Sequence, residues 1–218
     1  MIKWWKILGA LLVLYALIAG LLLPIPQLAI LEQSIRNLYY HVPMWFGMIF
    51  LLLASMVYSI RMLASGNLQH DIKAAEYANA AILFGSIGIA TGMIWAKNTW
   101  GAYWTNDPKL NGAAIGMLMY LAYTVLRSSI DDDEKRARVS AVYNVFCFPI
   151  FIVLIFILPR LTDSLHPGNG GNPGFNSYDL DSRLRMVFYP AVLGWTLIGF
   201  WLADLKIRVK IVEIKKDS

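Results

Sequence analysis

The chain has 218 residues, of which 58% are hydrophobic and 15% are charged. A soluble domain carries about 25% charged residues, and the mean hydropathy here is +0.54, so disorder, a coiled coil and a soluble nucleic-acid-binding domain are excluded. The net charge of +5 is spread over short loops and the C-terminus, which is a pattern that orients a membrane protein rather than one that binds nucleic acid.

The apolar runs are long and continuous, without the alternation of barrel strands, so the expected fold is all-α and polytopic with six transmembrane helices. The first run, Ile7–Leu23, follows Lys3 and Lys6 and ends at Pro24-Ile25-Pro26 without a small-x-small cleavage site. It reads as a retained span rather than a signal peptide. In Gln27–Tyr40, Leu28, Leu31, Ile35 and Leu38 recur at helical spacing against Glu32, Gln33, Arg36 and Asn37. That pattern predicts an amphipathic helix lying on the outer face.

The second span is expected over Pro43–Leu63 and the third over Tyr77–Trp95, with His70 in the loop between them as an ordinary exposed histidine. The fourth is expected over Gly112–Arg127. Asp131–Arg138 follows as a solvated charge run. The fifth, Val139–Leu158, holds the lone Cys147, so no disulfide forms within one chain, and there is no C-x-x-C-H for attaching a c-type haem to itself. Pro167–Gly174 reads as an irregular loop, and the sixth span is expected over Met186–Leu205.

Most of the 19 lysines and arginines fall on the side of the two termini. By the positive-inside rule both termini are then cytoplasmic, and 24–40, 96–111 and 159–185 are the outer segments of a single six-helix membrane domain spanning 1–218.

The outer segments hold the residues with chemistry. His41 and His166 both sit at the outer rim, each followed closely by a proline, Pro43 and Pro167, which restricts the backbone. Two imidazoles on one face could clamp a single metal as axial ligands clamp haem iron; the alternative is a pair of interfacial polar residues. Between them in sequence, Trp95, Trp100, Tyr103 and Trp104 crowd ten residues together with Gly101, Asp107-Pro108 and Lys109. An interfacial aromatic belt explains the ring count. The added glycine, Asp-Pro step and cation suit a planar apolar ligand such as a porphyrin. No nucleophile–base pair and no phosphate loop is present, so no catalytic group is identified.

These residues carry a resemblance. Trp100-Gly101-x-x-Trp104-x-x-Asp107-Pro108-Lys109-Leu110 resembles the tryptophan-rich WWD signature of haem-handling proteins in cytochrome c maturation. Tyr40-His41-Val42-Pro43 and Leu165-His166 resemble their two histidine motifs, and the six-span length is most similar to the CcmC family of haem exporter proteins. The resemblance implies a bacterial inner-membrane protein that holds haem b as transient cargo, with His41 and His166 as axial ligands. Trp100, Gly101, Trp104 and Asp107 would form the haem-presenting loop. It also implies a periplasmic haem chaperone of the CcmE type as recipient, and an ABC-type CcmA–CcmB pair with small CcmD as partners. Asn106 stands where the family often has an aromatic residue and Lys109 where it often has arginine. For the haem propionates the first expectation is Arg36, then Arg183 and Arg185; the alternative for each is anchoring to lipid headgroups. The rival readings are a cytochrome c synthetase subunit of the second maturation system and a haem transporter subunit.

Overall fold

The computed structural model describes residues 3–166 and 180–217. Six helices are long and apolar enough to cross a membrane, and among the described residues no strand forms. The protein is an all-α, multi-pass membrane protein. Its helices are α1 (Trp4–Leu22), α2 (Leu38–Ser65), α3 (Leu68–Trp100), α4 (Pro108–Ser128), α5 (Asp133–Ile152), a short α6 (Leu158–Leu161) and α7 (Ser182–Asp217). A π-helical turn, Val153–Ile157, joins α5 to α6, so the two act as one span.

The helices run past the expected spans. At 1.5 Å per residue the 33 residues of α3 and the 36 of α7 reach about 50 and 54 Å, well beyond a hydrocarbon core of about 30 Å. Hydropathy marks only the part of a helix that lies in lipid. The polar ends continue because their residues still favour helix, so only Gly66 and Asn67 remain between α2 and α3. His70 is therefore in the first turn of α3, not in a loop, and its Nδ1 lies 3.1 Å from Ser65 Oγ.

The expected outer amphipathic helix is shorter than its pattern. A 3-10 helix covers Glu32–Asn37 and runs straight into α2. It starts at Glu32, whose φ of 43° is the one positive value at a non-glycine residue among the described residues. The apolar residues at helical spacing do face inward: Ile35 and Leu38 are buried in a cluster with Ala16, Ala19, Tyr39, Leu184 and Phe188. The loop predicted at Pro167–Gly174 lies outside the described residues.

Helix α2 packs against α3, α5 and α7. The main core joins Met44, Met48, Leu51 and Leu52 of α2 to Phe84 of α3, Tyr120 of α4 and Phe151 of α5. α1 closes on α7 through two glycines: a Cβ at Gly194 would stand 2.8 Å from Leu12 Cβ, and one at Gly9 would stand 2.9 Å from Leu197 Cβ. Close approach of this kind is how helices gain van der Waals contact where lipid removes the hydrophobic driving force. At the end that carries the termini, ion pairs tie helices together, Lys206 of α7 to Glu76 of α3 at 3.6 Å among them. Lys6 reaches Asp204 at 2.6 Å, and Arg127 grips Asp71 with two bonds of 2.6 and 2.7 Å. Cys147 is buried and unpaired.

Candidate functional site

The antiparallel order of the helices brings residues 23–37, 101–107 and 162–166 to the end of the bundle opposite the termini. His41 enters this end from the first turns of α2. Asn37 Nδ2 donates to Thr91 O at 3.0 Å, and Trp95 Nε1 donates to Ser34 Oγ at 3.3 Å. These bonds moor the 3-10 helix and the start of α2 to the outer part of α3. His41 Nδ1 donates to Gly88 O at 2.9 Å, with Thr91 Oγ1 at 3.3 Å. A carbonyl only accepts, so the Nδ1 proton is fixed and Nε2 keeps its lone pair. Trp45 and Trp95 meet the ring edge-on, with centroids 6.4 and 5.8 Å away.

The second imidazole is set by an aspartate. Asp107 is the N-cap of α4: its Oδ1 accepts the amides of Lys109 and Leu110 at 2.9 and 3.2 Å, and Pro108 opens the helix. The same carboxylate reaches across to the segment after α6. Oδ1 accepts His166 Nδ1–H at 2.9 Å, and Oδ2 accepts Ser164 Oγ–H at 2.8 Å and the Leu165 amide at 2.7 Å. Burial alone would raise the Asp107 pKa, but the bonds from His166, Ser164 and Leu165 overcome it and hold the group well below the usual carboxylate range. Burial holds His166 below the usual imidazole range, against the pull of Asp107 and with the help of Lys109. A carboxylate accepts, so the proton of a neutral His166 ring sits on Nδ1, and Nε2 is the lone-pair nitrogen. Trp100 packs against this ring at 4.9 Å and 73°. Both imidazoles lie at the end of the bundle opposite the termini, His41 on the first turns of α2 and His166 after α6.

The remaining predicted residues divide. Gly101 has φ 81° and caps the C-terminus of α3, and a Cβ there would meet nothing within 4 Å. It is required by its left-handed backbone, not by the close approach expected from the sequence. Trp104 is 39% exposed, and its Nε1 donates to Asn111 Oδ1 at 3.3 Å. Asn106 Oδ1 accepts from Asn111 Nδ2 at 2.8 Å, which steadies the same turn. Arg36, the first expectation for a propionate, turns elsewhere: its Nη1 donates to Gly20 O at 2.6 Å and Leu23 O at 3.0 Å. Those are carbonyls left unpaired at the end of α1, so Arg36 closes that helix. Arg183 pairs with Asp181 at the surface. Arg185 Nε is buried with no hydrogen-bond partner among the described residues.

Sequence reasoning missed Gly88, Thr91 and Gly92, which cradle His41, and Ser164, which shares Asp107 with His166. The signal for the first group was present as Gly85, Gly88 and Gly92 on one face of the third span.

Two imidazoles with Nδ1 hydrogen-bonded and no partner on Nε2 among the described residues, packed against tryptophan rings, suit a flat ligand with an axially ligated metal at its centre. The family model described as heme exporter protein C, CcmC, matches residues 1–218. The chain belongs to the CcmC family. Relatives named heme exporter protein C include those of Haemophilus influenzae, 27% identical over 85% of this chain and 74% of the relative, and Escherichia coli, 25% identical over 84% and 73%. A relative from Atropa belladonna named cytochrome c biogenesis protein CcsA is 29% identical over 74% of this chain and 53% of its own length. Several relatives are matched over about half of their length or less, among them the Bradyrhizobium heme exporter protein C at 43%. The match to the CcmC family covers the tryptophan motif and both histidine motifs.

Proposed function

We propose that this member of the CcmC family handles haem in cytochrome c maturation, in a bacterial inner membrane with both termini cytoplasmic. It binds haem b at the periplasmic face through His41 and His166, presents it over the tryptophan-rich turn and passes it to a periplasmic haem chaperone of the CcmE type. It is a delivery subunit rather than an enzyme. The ATP-driven work falls to an ABC-type CcmA–CcmB pair, with CcmD as a further partner. The observation that supports this is the matched state of the two histidines: each Nδ1 is held by an oxygen of the chain, and neither Nε2 has a partner among the described residues. Arg185, whose buried Nε has no hydrogen-bond partner among the described residues, serves a propionate.

The test is to purify the chain from haem-replete cells and record its absorption spectrum. A Soret band that persists through gel filtration, and that falls when either His41 or His166 is replaced by alanine, is the expected result. A colourless protein after haem loading would sink the reading. The relatives named CcsA favour a second reading, a cytochrome c synthetase subunit. It predicts covalent attachment of haem to an apocytochrome C-x-x-C-H peptide by the chain itself, whereas delivery predicts none.

A further inference from the structure

Five donors converge on one buried carboxylate. Asp107 is 2% exposed. As a helix cap it needs only the amides of Lys109 and Leu110. The other three donors, His166 Nδ1–H, Ser164 Oγ–H and the Leu165 amide, arrive from a segment 57 to 59 residues further along the chain. This is more than a cap requires. It is also an arrangement that only a group with two acceptor oxygens satisfies. Asparagine carries one carbonyl oxygen and one NH2, so its donor would face either the Oδ1 set or the Oδ2 set. Glutamate keeps both oxygens but displaces them by one methylene.

We propose that Asp107 is a positioning residue: it joins the tryptophan-rich turn to the His166 segment and holds the His166 imidazole as the Nδ1–H tautomer, so that Nε2 faces the ligand. The tautomer and the join are properties of the chain alone. Their consequence for iron rests on the haem reading given above. Metal-ligating histidines are commonly oriented by a carboxylate behind the ring, and loss of that partner typically costs 10- to 100-fold in metal affinity. Asp107 stands where such a partner stands. It touches the ring nitrogen away from the ligand side, so its effect on haem passes through His166. Trp100, packed on the same ring, shares in the positioning. The unit Trp100–Asp107–His166 therefore links the turn that presents the ligand to the group that would bind its metal.

The experiment uses the full-length, haem-free chain in detergent with 15N-labelled histidine. With only three histidines, replacing His41 and His70 one at a time assigns every ring signal. The expected spectrum of the unsubstituted chain shows His166 protonated at Nδ1 and bare at Nε2. In Asp107→Asn the signal moves towards the Nε2–H form that free imidazole prefers in water. Hydrogen exchange is read in parallel. Leu165 lies outside any helix, yet its amide is expected to exchange slowly in the unsubstituted chain and fast in Asp107→Asn. Haem affinity of Asp107→Asn is expected to fall by about 10- to 100-fold. An Nε2–H tautomer in the unsubstituted chain overturns the proposal without any variant having to fold. So does an Asp107→Asn protein whose tautomer, exchange and affinity are unchanged. Failure of the haem reading looks different: His166→Ala would retain haem while the tautomer of the unsubstituted chain stayed Nδ1–H.

Discussion

Gly92 of α3 leaves the volume that the His41 ring of α2 fills. A Cβ at Gly92 would stand 2.6 Å from His41 Cε1 and 3.2 Å from Nδ1. The ring has little room to yield, because its Nδ1 is moored one turn earlier on the same helix, at Gly88 O. Gly92→Val is therefore expected to evict the imidazole and lower haem per protein to the level of His41→Ala, with helix content by circular dichroism unchanged. Gly101→Ala is the control. Its left-handed backbone makes alanine costly by about 1 kcal/mol in stability, while haem per folded protein stays the same. Equal haem content in Gly92→Val and the unsubstituted chain would show that His41 does not need its observed position.

The histidines themselves give a second expectation. On the proposed haem reading, His41→Ala and His166→Ala would each open one axial position, so each should weaken haem retention, read as Soret absorbance per protein after gel filtration. Added imidazole should restore part of it by entering the vacated space. His70, at the far end of the bundle beside Ser65, should tolerate alanine without loss. Sensitivity at His70 with silence at the other two would exclude the rim site.

The helix count, the order of elements and the two rim histidines were legible from hydropathy and motif alone, because an apolar run of span length admits few folds. The glycine face of the third span was legible, but what each glycine receives was not. Gly85, Gly88 and Gly92 face Met48, Trp45 and His41 in turn, so each glycine of α3 receives one residue of α2 about a turn further on. That pairing depends on how two helices are rotated against each other, which periodicity within either helix does not fix. Arg36 shows a second kind of limit. Its place five residues before His41 suggested a ligand contact, but Arg36 itself lies in the 3-10 helix, and its guanidinium reaches the end of α1. The bond from Asp107 to His166 spans 59 residues and leaves no local trace in the sequence.

Arg36 and Arg185 should separate stability from binding. Arg36→Gln removes the bonds to Gly20 O and Leu23 O. Charge-assisted hydrogen bonds contribute about 1.5–3 kcal/mol, so thermal unfolding should occur at lower temperature with haem per folded protein unchanged. Arg185→Gln should do the reverse, leaving unfolding nearly unmoved and weakening haem. Loss of haem in Arg36→Gln at temperatures where it remains folded would return Arg36 to the ligand site.

Topology is tested by fusing a reporter that is active only outside the cytoplasm. Fusion after Asp163 should give activity, and fusion at Asp132, between α4 and α5, should give none. The reverse result would place both histidines on the cytoplasmic side and remove periplasmic delivery.

Trp100 and Trp104 share a motif but not a position, and their substitutions should differ accordingly. Trp100 packs on the His166 ring, whereas Trp104 is part-exposed on the outer turn. An aromatic contact of this kind contributes about 0.5–1.5 kcal/mol beyond its buried area. Trp100→Ala should therefore lower haem occupancy about 2- to 12-fold by loosening His166. Trp104→Ala should change occupancy less, yet lower hand-over to the chaperone more than its occupancy explains, because an exposed ring on the presenting turn is placed to meet a partner. Trp104→Phe, which keeps a flat apolar face, should preserve most of both. The measurements are haem per protein and covalent haem formed on the chaperone, taken across all three variants. Intact transfer in Trp104→Ala would make that ring an ordinary member of an interfacial belt and leave Trp100, through His166, as the one tryptophan of the pair that acts on haem.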